Sequence, residues 1–78
     1  MKTKYIVFDN GLLDDMLIFS DMQKHEDIAR GLTVVSAGFL SIYNNKISCY
    51  GESISLELKS RPEDEKIAYR ALALEKVE

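Results

Sequence analysis

The hydrophobic positions near the start of the chain form two almost continuous apolar runs, which predict a first β-hairpin. The runs are residues 4–8 (KYIVF) and residues 15–20 (DMLIFS), and Asn10-Gly11 between them favours a tight turn because both residues tolerate positive φ. Continuous apolar strands are typical of sheets that are buried on both faces. The pattern therefore predicts a covering layer on each side of this sheet.

A longer β-prone segment predicts a second hairpin. Residues Thr33–Tyr43 (TVVSAGFLSIY) are followed by Asn44-Asn45, which tolerate the left-handed region, and by a return strand at Lys46–Tyr50. Gly38 interrupts the longer strand, which predicts either a bulge or a close approach by another backbone.

The segment between the two hairpins predicts a short, largely solvated helix over residues 20–30. Ser20 and Gln23 match a capping box, in which the two side chains satisfy exposed backbone N–H groups at the helix start. A later start near Lys24 remains open. Gly31 is placed to end the helix in the left-handed region.

The clearest helical pattern in the chain covers residues 62–76. Ser60 and Glu63 form a second S-x-x-E capping pattern, and Pro62 occupies the first turn, where its missing N–H group costs nothing. The predicted apolar stripe of this helix consists of Ile67, Ala68, Ala71, Leu72 and Leu74.

Together these elements predict an α+β fold, in which a small antiparallel sheet of two hairpins packs with two helices in the order β-β-α-β-β-(β)-α. The bracketed strand is residues 54–58 (ISLEL), where apolar and polar residues alternate after a break at Gly51. A chain of this length forms one compact domain, residues 1–78.

The length of the chain, 78 residues, makes its own core small. A domain of this size buries only about 60% of its unfolded surface and gains stability from disulfides, metal ions or contacts between subunits. Cys49 is the single cysteine and His25 the single histidine, so the pattern predicts no intrachain disulfide, no metal site and no cofactor. We therefore expect a homo-oligomer.

Ten basic and 13 acidic residues give a net charge of −3. This balance argues against direct nucleic-acid binding, which normally requires a basic excess. The sequence has no apolar stretch long enough to span a membrane, and MKTK leads directly into a strand-like run rather than into the apolar core of a signal peptide. With one unpaired cysteine, the composition predicts a cytoplasmic protein.

A candidate ligand site lies where the last helix is predicted to begin. A helix start presents free N–H groups that attract phosphates, and two basic side chains and hydroxyl groups would complete such a site. The alternative is a structural cap with solvated charges, since the acidic residues after Pro62 already supply negative charge to that end. The candidate ligand-binding residues are Ser53, Ser55, Lys59, Ser60 and Arg61.

A second candidate surface is acidic, and its partner-binding residues are Asp14, Asp15, Glu26 and Asp27. The spacing of Asp9, Asp14 and Asp15 matches no calcium loop, so a solvated turn is predicted there. His25 has no partner that identifies it as a general base, and a surface position in the first turn of a helix is predicted for it. Cys49 lies in an apolar strand pattern that predicts a small buried hydrophobe. The sequence therefore predicts a protein that is not an enzyme.

The run GESISLELKSRPED, preceded by SAGFLSI and CY, resembles small accessory proteins encoded by bacteriophages and prophages. The resemblance covers residues 35–64 and includes no catalytic motif. It implies a protein that antagonises host antiviral defence by stoichiometric binding to a host protein complex, as in anti-CRISPR-type inhibition. Two alternatives stay open, a homo-oligomeric sponge for a nucleotide immune signal and a structural or regulatory phage protein.

Overall fold

The computed structural model describes residues 3–73, which form a four-stranded antiparallel sheet, a two-stranded sheet and two helices. The elements in chain order are β1 (Thr3–Asp9), β2 (Asp14–Ser20), α1 (His25–Ile28), β3 (Thr33–Tyr43), β4 (Lys46–Tyr50), β5 (Glu52–Ser53), β6 (Leu58–Lys59) and α2 (Asp64–Ala71). The predicted α+β class and the two hairpins within one sheet are confirmed.

The two hairpins join in the strand order β2-β1-β3-β4, which places β1 in the interior of the sheet and β2 at an edge. Tyr5, Ile6 and Val7 of β1 are all fully buried, because successive side chains point to opposite faces and both faces are covered. The prediction from the continuous apolar run of β1, a strand that is covered on both faces, is thus confirmed. In β2 the same prediction is wrong for Leu17, which is 41% exposed beside the open edge.

The two faces of the sheet carry separate hydrophobic clusters. On the α2 face, helix α2 contributes three residues to a cluster with side chains from all four strands; the members are Tyr5, Val7, Met16, Leu40, Ile47, Ile67, Ala68 and Tyr69. On the α1 face, Ile6, Ala29 and Ala37 form a smaller cluster, against which Leu56 and Leu58 pack. Helix α1 and the segment from β5 to β6 therefore cover the face that α2 leaves open.

Gly38 lies where two other stretches of backbone cross β3. A Cβ atom built on Gly38 would lie 2.6 Å from the carbonyl oxygen of Tyr50 and 3.3 Å from Cβ of Ser60. The predicted close approach is confirmed. The irregularity in the pairing of β3 with β1 lies elsewhere, because Val7 pairs with Ser36 whereas Phe8 pairs with Val34.

The turns of the two hairpins differ. Asn44 and Asn45 both have positive φ, at 51° and 62°, so the predicted tight turn is confirmed. The predicted Asn10-Gly11 two-residue turn is wrong, because four residues separate β1 from β2. There Asp9 Oδ1 accepts the N–H group of Gly11 at 2.8 Å, and Asn10 Oδ1 accepts from the two residues that precede β2. These side-chain bonds stabilise a wider loop.

The first helix is much shorter than the predicted span of residues 20–30. Its N-cap residue is Lys24, which agrees with the later start that the sequence left open. The Ser20–Gln23 capping box does not form, because Ser20 is still extended and pairs with Thr3 at the end of β2. Its Oγ atom instead accepts the N–H group of Met22 at 3.3 Å.

Helix α2 begins two residues later than predicted, and the Ser60–Glu63 capping box does not form. Glu63 is the N-cap residue and makes no side-chain cap bond, while Oδ2 of Asp64 accepts the backbone N–H group of Arg61 at 2.9 Å. Residues 67–69 are buried as part of the predicted stripe and beside it, but Ala71 is exposed. The predicted continuation to Lys76, with Leu74, lies outside the described residues.

Of residues 54–58, predicted as a possible extra strand, residues 54–57 form a turn, and only Leu58 is extended, as the first residue of β6. The N–H group of Glu57 donates to the carbonyl oxygen of Ile54, and Glu57 has a positive φ of 56°. The flanking residues pair as β5 and β6, with Glu52 opposite Lys59 and Ser53 opposite Leu58. Of the apolar residues in the pattern, Leu56 and Leu58 cover the α1 face, whereas Ile54 is 85% exposed.

Candidate functional site

The most strongly bonded polar group in the described structure is the carboxylate of Asp64, whose side chain is fully buried at the start of α2. Oδ2 accepts the hydroxyl of Tyr5 at 2.6 Å and the backbone N–H group of Arg61 at 2.9 Å. Oδ1 accepts the hydroxyl of Ser36 at 2.9 Å and Nε of Arg61 at 3.0 Å. Four donors from β1, β3 and the chain before α2 thus satisfy one buried carboxylate, as burial of a charge requires.

Arg61, a predicted phosphate ligand, is committed to neighbouring carboxylates. Besides its bonds to Asp64, its Nη2 atom lies 3.6 Å from Oδ2 of Asp14, and its Nε atom lies 3.7 Å from Oε1 of Glu63. A guanidinium group surrounded by three carboxylates has little positive field left for an external phosphate. The role of Asp64 was not recognised in the sequence, where it looked like one of three acidic residues at a helix start.

Burial also affects the two titratable groups next to Asp64. Desolvation, together with the hydrogen bond to Asp64, raises the pKa of Tyr5. Desolvation, followed by the nearby charges of Asp64 and Glu65, raises the pKa of the Cys49 thiol to about 12. A thiol with a raised pKa is mostly protonated at neutral pH and is a poor nucleophile.

The predicted ligand residues around the turn from β5 to β6 are only partly brought together. Ser53 is buried, and its Oγ atom accepts the N–H group of Leu56 and lies 3.3 Å from Oγ of Ser55. A cavity of about 300 Å³ is bordered by Ser53 and Ser55, and a neighbouring cavity of about 360 Å³ is bordered by Ser53 and Lys59. Ser60 and Arg61 border neither cavity, so the five predicted residues do not form one site.

His25 lies in the wall of the 300 Å³ cavity and is only 6% exposed, so its predicted surface position is wrong. Its Nε2 atom lies 2.9 Å from the carbonyl oxygen of Gly38 and therefore carries a proton, because a carbonyl oxygen only accepts. The rings of Phe19 and Phe39 pack edge-to-face against the imidazole. Lys4, Lys24, Glu26 and Glu52 also border this cavity, which we call the His25 cleft.

The four predicted partner-binding acids do not form one surface. Asp14 is half-buried beside Arg61, and its carbonyl oxygen accepts a bond from the guanidinium of Arg70. Asp15 is half-buried, and its Oδ1 atom accepts the N–H group of Met16 at 2.8 Å. The predicted solvated turn is therefore wrong for these two residues. Glu26 and Asp27 are exposed on α1 and remain available to a partner.

Exposed apolar side chains also lie at the end of the second hairpin. The pairing of β3 with β4 continues beyond Leu40, the residue that pairs with Thr3 in β1. In this projecting part Tyr43 is 79% exposed and Ile42 is also exposed. A groove of about 390 Å³ on the α2 face adjoins it, and we call the groove and the hairpin end together the hairpin-end surface; its lining residues include Ile18, Leu40, Ile42, Tyr50 and Leu72.

Within residues 3–73, no group of His, Cys, Asp or Glu side chains is arranged to hold a metal ion. None of the helices in that range is long and apolar enough to cross a membrane.

Comparisons with known proteins add no relative. The chain matches no protein-family model, and no curated protein and no solved structure shows significant similarity to it.

Proposed function

We propose that this protein is a non-enzymatic binding protein that acts by stoichiometric contact with another protein. The observation that carries the proposal is the hairpin-end surface, where Ile42 and Tyr43 project beyond the body of the sheet beside a groove lined by both apolar and polar side chains. Exposed apolar patches mark interaction sites, and tyrosine is enriched in protein interfaces because it combines a large apolar area with a hydroxyl group.

The resemblance to phage accessory proteins supplies the biological setting of the proposal. In that setting the partner is a complex of host antiviral defence, and the protein works in the host cytoplasm. The net charge of −3 favours a basic partner surface, because complementary charge accelerates and orients docking. Glu26 and Asp27 are the exposed members of the predicted acidic set that contribute to this attraction.

The test is a defence assay followed by a binding measurement on the purified partner. Wild-type protein is expressed in cells that carry a panel of antiviral systems, and the complex behind any relieved defence is titrated by calorimetry. We expect Tyr43→Asp to weaken binding by about 30-fold or more, which corresponds to a hot-spot loss of about 2 kcal/mol. Ile54→Asp is the matched control, because Ile54 is equally exposed but lies at the turn between β5 and β6.

The proposal fails if Tyr43→Asp and Ile54→Asp bind and protect phage equally well. It also fails if the wild-type protein relieves no antiviral system and binds none of their components. Weaker binding at higher salt would support the contribution of Glu26 and Asp27, since exposed charges are screened by ions.

A nucleotide sponge is the second candidate, and the His25 cleft is the observation that favours it. Two lysines and the hydroxyl of Ser55 border this cavity, and Lys59 borders the next one. Replacing Arg61 is an unsuitable test because the change would also disrupt the bonds to Asp64. Calorimetry with linear and cyclic nucleotides should instead compare the wild type with Lys4→Ala, Lys24→Ala and Lys59→Ala. Heat that disappears in these variants supports the sponge, and a flat trace for every nucleotide removes it.

A further inference from the structure

The two edge strands of the four-stranded sheet, β4 and β2, differ in how their outward backbone groups are bonded. At β4, the N–H group of Ile47 donates to the hydroxyl of Tyr69 at 2.9 Å, and the N–H group of Cys49 donates to Oε2 of Glu65 at 3.3 Å. Both side chains belong to α2. Natural proteins protect exposed strand edges from pairing with other chains, and here the helix satisfies the outward donors of β4.

At β2, the outward backbone groups are bonded near both ends of the strand but not at Ile18; near the C-terminal end, the carbonyl oxygen of Ser20 accepts the N–H group of Gln23 at 3.1 Å. The carbonyl oxygen of Asp14 accepts a bond from Arg70, and the N–H group of Met16 donates to the carboxylate of Asp15. These groups point away from β1, so the even-numbered residues of β2 direct their backbone groups outward. Ile18 is the next even-numbered residue of β2. Within residues 3–73, no side chain bonds its backbone N–H group or its carbonyl oxygen.

The side chains after the start of β2 also lack the usual edge protection. Asp14 and Asp15 are charged, but residues 16–20 (MLIFS) contain no charged residue and no proline, which commonly guard an edge strand. Leu17 is 41% exposed in its centre, Leu12 before it is 94% exposed, and Met22 after it is 86% exposed. Apolar side chains thus stand at the middle and near both ends of an open strand.

We propose that β2 is a self-association edge, at which two copies of this chain pair their β2 strands antiparallel about a two-fold axis at Leu17. Leu17 then faces Leu17 of the second copy in a non-hydrogen-bonded pair, where side chains approach most closely. The N–H group of Ile18 then donates to the carbonyl oxygen of Met16 of the second copy. In return the N–H group of Met16 exchanges the carboxylate of Asp15 for the carbonyl oxygen of Ile18 of the second copy. The same register brings the loop before β2, with Leu12, to the end of the interface where the turn after β2 of the second copy, with Met22, also lies.

Charge and side-chain chemistry select this register over its neighbours. A two-fold axis at Ile18 would bring Asp15 to the end of the interface where Asp21 of the second copy lies in the turn after β2, and like charges close together are destabilising. An axis at Met16 would bring the loop that contains Leu12 towards Ser20 of the second copy and leave the apolar side chain uncovered. With the axis at Leu17, Asp15 faces Phe19 of the second copy and the acidic strand starts lie at opposite ends of the interface.

This association does not rest on the proposed function, because it requires no second kind of protein, although Ile18 belongs both to the β2 edge and to the lining of the hairpin-end surface. It extends the prediction of a homo-oligomer by assigning the contact between the two copies to β2. The area of one strand pair is small, so the flanking leucine and methionine contacts are needed for a stable dimer.

Sedimentation equilibrium of the full chain tests the dimer. At tens of micromolar we expect a mass of twice 8.9 kDa for the wild type. Leu17→Lys should sediment at 8.9 kDa, since it places two ammonium groups face to face. Ile54→Lys, which changes an exposed apolar residue in the turn between β5 and β6, should remain a dimer. A wild-type mass of 8.9 kDa, or a dimer that persists in Leu17→Lys, overturns the proposal.

Disulfide trapping tests the register. In a Cys49→Ala background, Leu17→Cys should form an intermolecular disulfide under mild oxidation, because non-hydrogen-bonded pairs lie within disulfide distance. Leu12→Cys should remain reduced, since the two copies of residue 12 would be ten residues apart along the paired strands, roughly 33 Å. Equal trapping of both variants, or none for Leu17→Cys, overturns the register.

Discussion

The hydroxyl of Tyr5 donates a 2.6 Å hydrogen bond to Oδ2 of Asp64, and this bond joins two fully buried side chains that are 59 positions apart in the chain. It connects the central strand β1 to the first residue of α2. Because Ser36 of β3 donates to the other oxygen, one carboxylate holds the helix against two neighbouring strands. The placement of α2 is therefore specified by polar bonds as well as by apolar packing.

We predict that Asp64→Asn destabilises the protein by about 3 kcal/mol, because it leaves Arg61 without its buried counter-charge and turns one acceptor into a donor. The free energy of unfolding of a 78-residue domain is about 4–12 kcal/mol, so the predicted loss is a large fraction of the total stability. Urea unfolding measures the change. Glu63→Gln is the control, since Glu63 is exposed and its loss should cost less than about 0.5 kcal/mol. Equal midpoints for the two variants would contradict this account.

Tyr5→Phe removes the hydroxyl and leaves the ring in the core. We expect a loss of about 1–2 kcal/mol, since the bond goes to a charged acceptor. The effect should be smaller when Asp64 is already asparagine, with a coupling energy of at least about 0.5 kcal/mol in a double-mutant cycle. Additive losses in the four urea titrations would show that the two groups stabilise the fold separately.

Ser60→Ala should change the free energy of unfolding by less than about 0.5 kcal/mol, because Ser60 does not cap α2. This expectation differs from the capping box that the sequence predicted, whose loss on mutation would cost about 1 kcal/mol.

Gly38→Ala should destabilise the protein by about 2 kcal/mol, since the added methyl group would meet the carbonyl oxygen of Tyr50. Urea unfolding measures both variants. A lower free energy of unfolding for Ser60→Ala, with no change for Gly38→Ala, would contradict the uncapped helix start and the close approach of backbone to Gly38.

Stability should decrease at alkaline pH. The pKa of Cys49 rises from 9.0 to about 12 on folding, and the pKa of Tyr5 also rises from its usual 10.0. The folded state therefore holds these protons more tightly than the unfolded chain, so the contribution is complete below pH 9.0 and is lost progressively above it. Thermal unfolding between neutral and alkaline pH measures the loss. The slope should be shallower in a Cys49→Ala, Tyr5→Phe variant, and an unchanged slope would assign it to other groups.

Local pattern was sufficient for most of the sheet. The bounds of β3 and β4 agree with those predicted, because their β-prone residues and the Asn44-Asn45 turn are local properties of the chain. The continuous apolar run of β1 is also a local property of the chain, and it indicated an interior strand. The helix starts were predicted less well, since Ser20 and Ser60 carry capping signals in segments that tertiary contacts hold in other conformations.

The sequence by itself determined the class of fold, the two hairpins and a helix near the end of the chain, because hydrophobic period and turn residues act over a few positions. Only the tertiary structure decided that Asp64 is a buried anchor, that Arg61 is held by carboxylates and that His25 is enclosed by two phenylalanine rings. These roles depend on partners distant in the sequence. The difference between the closed edge of β4 and the open edge of β2 likewise arises only when α2 packs across the sheet, where its side chains reach β4 and the first residues of β2 but not Ile18.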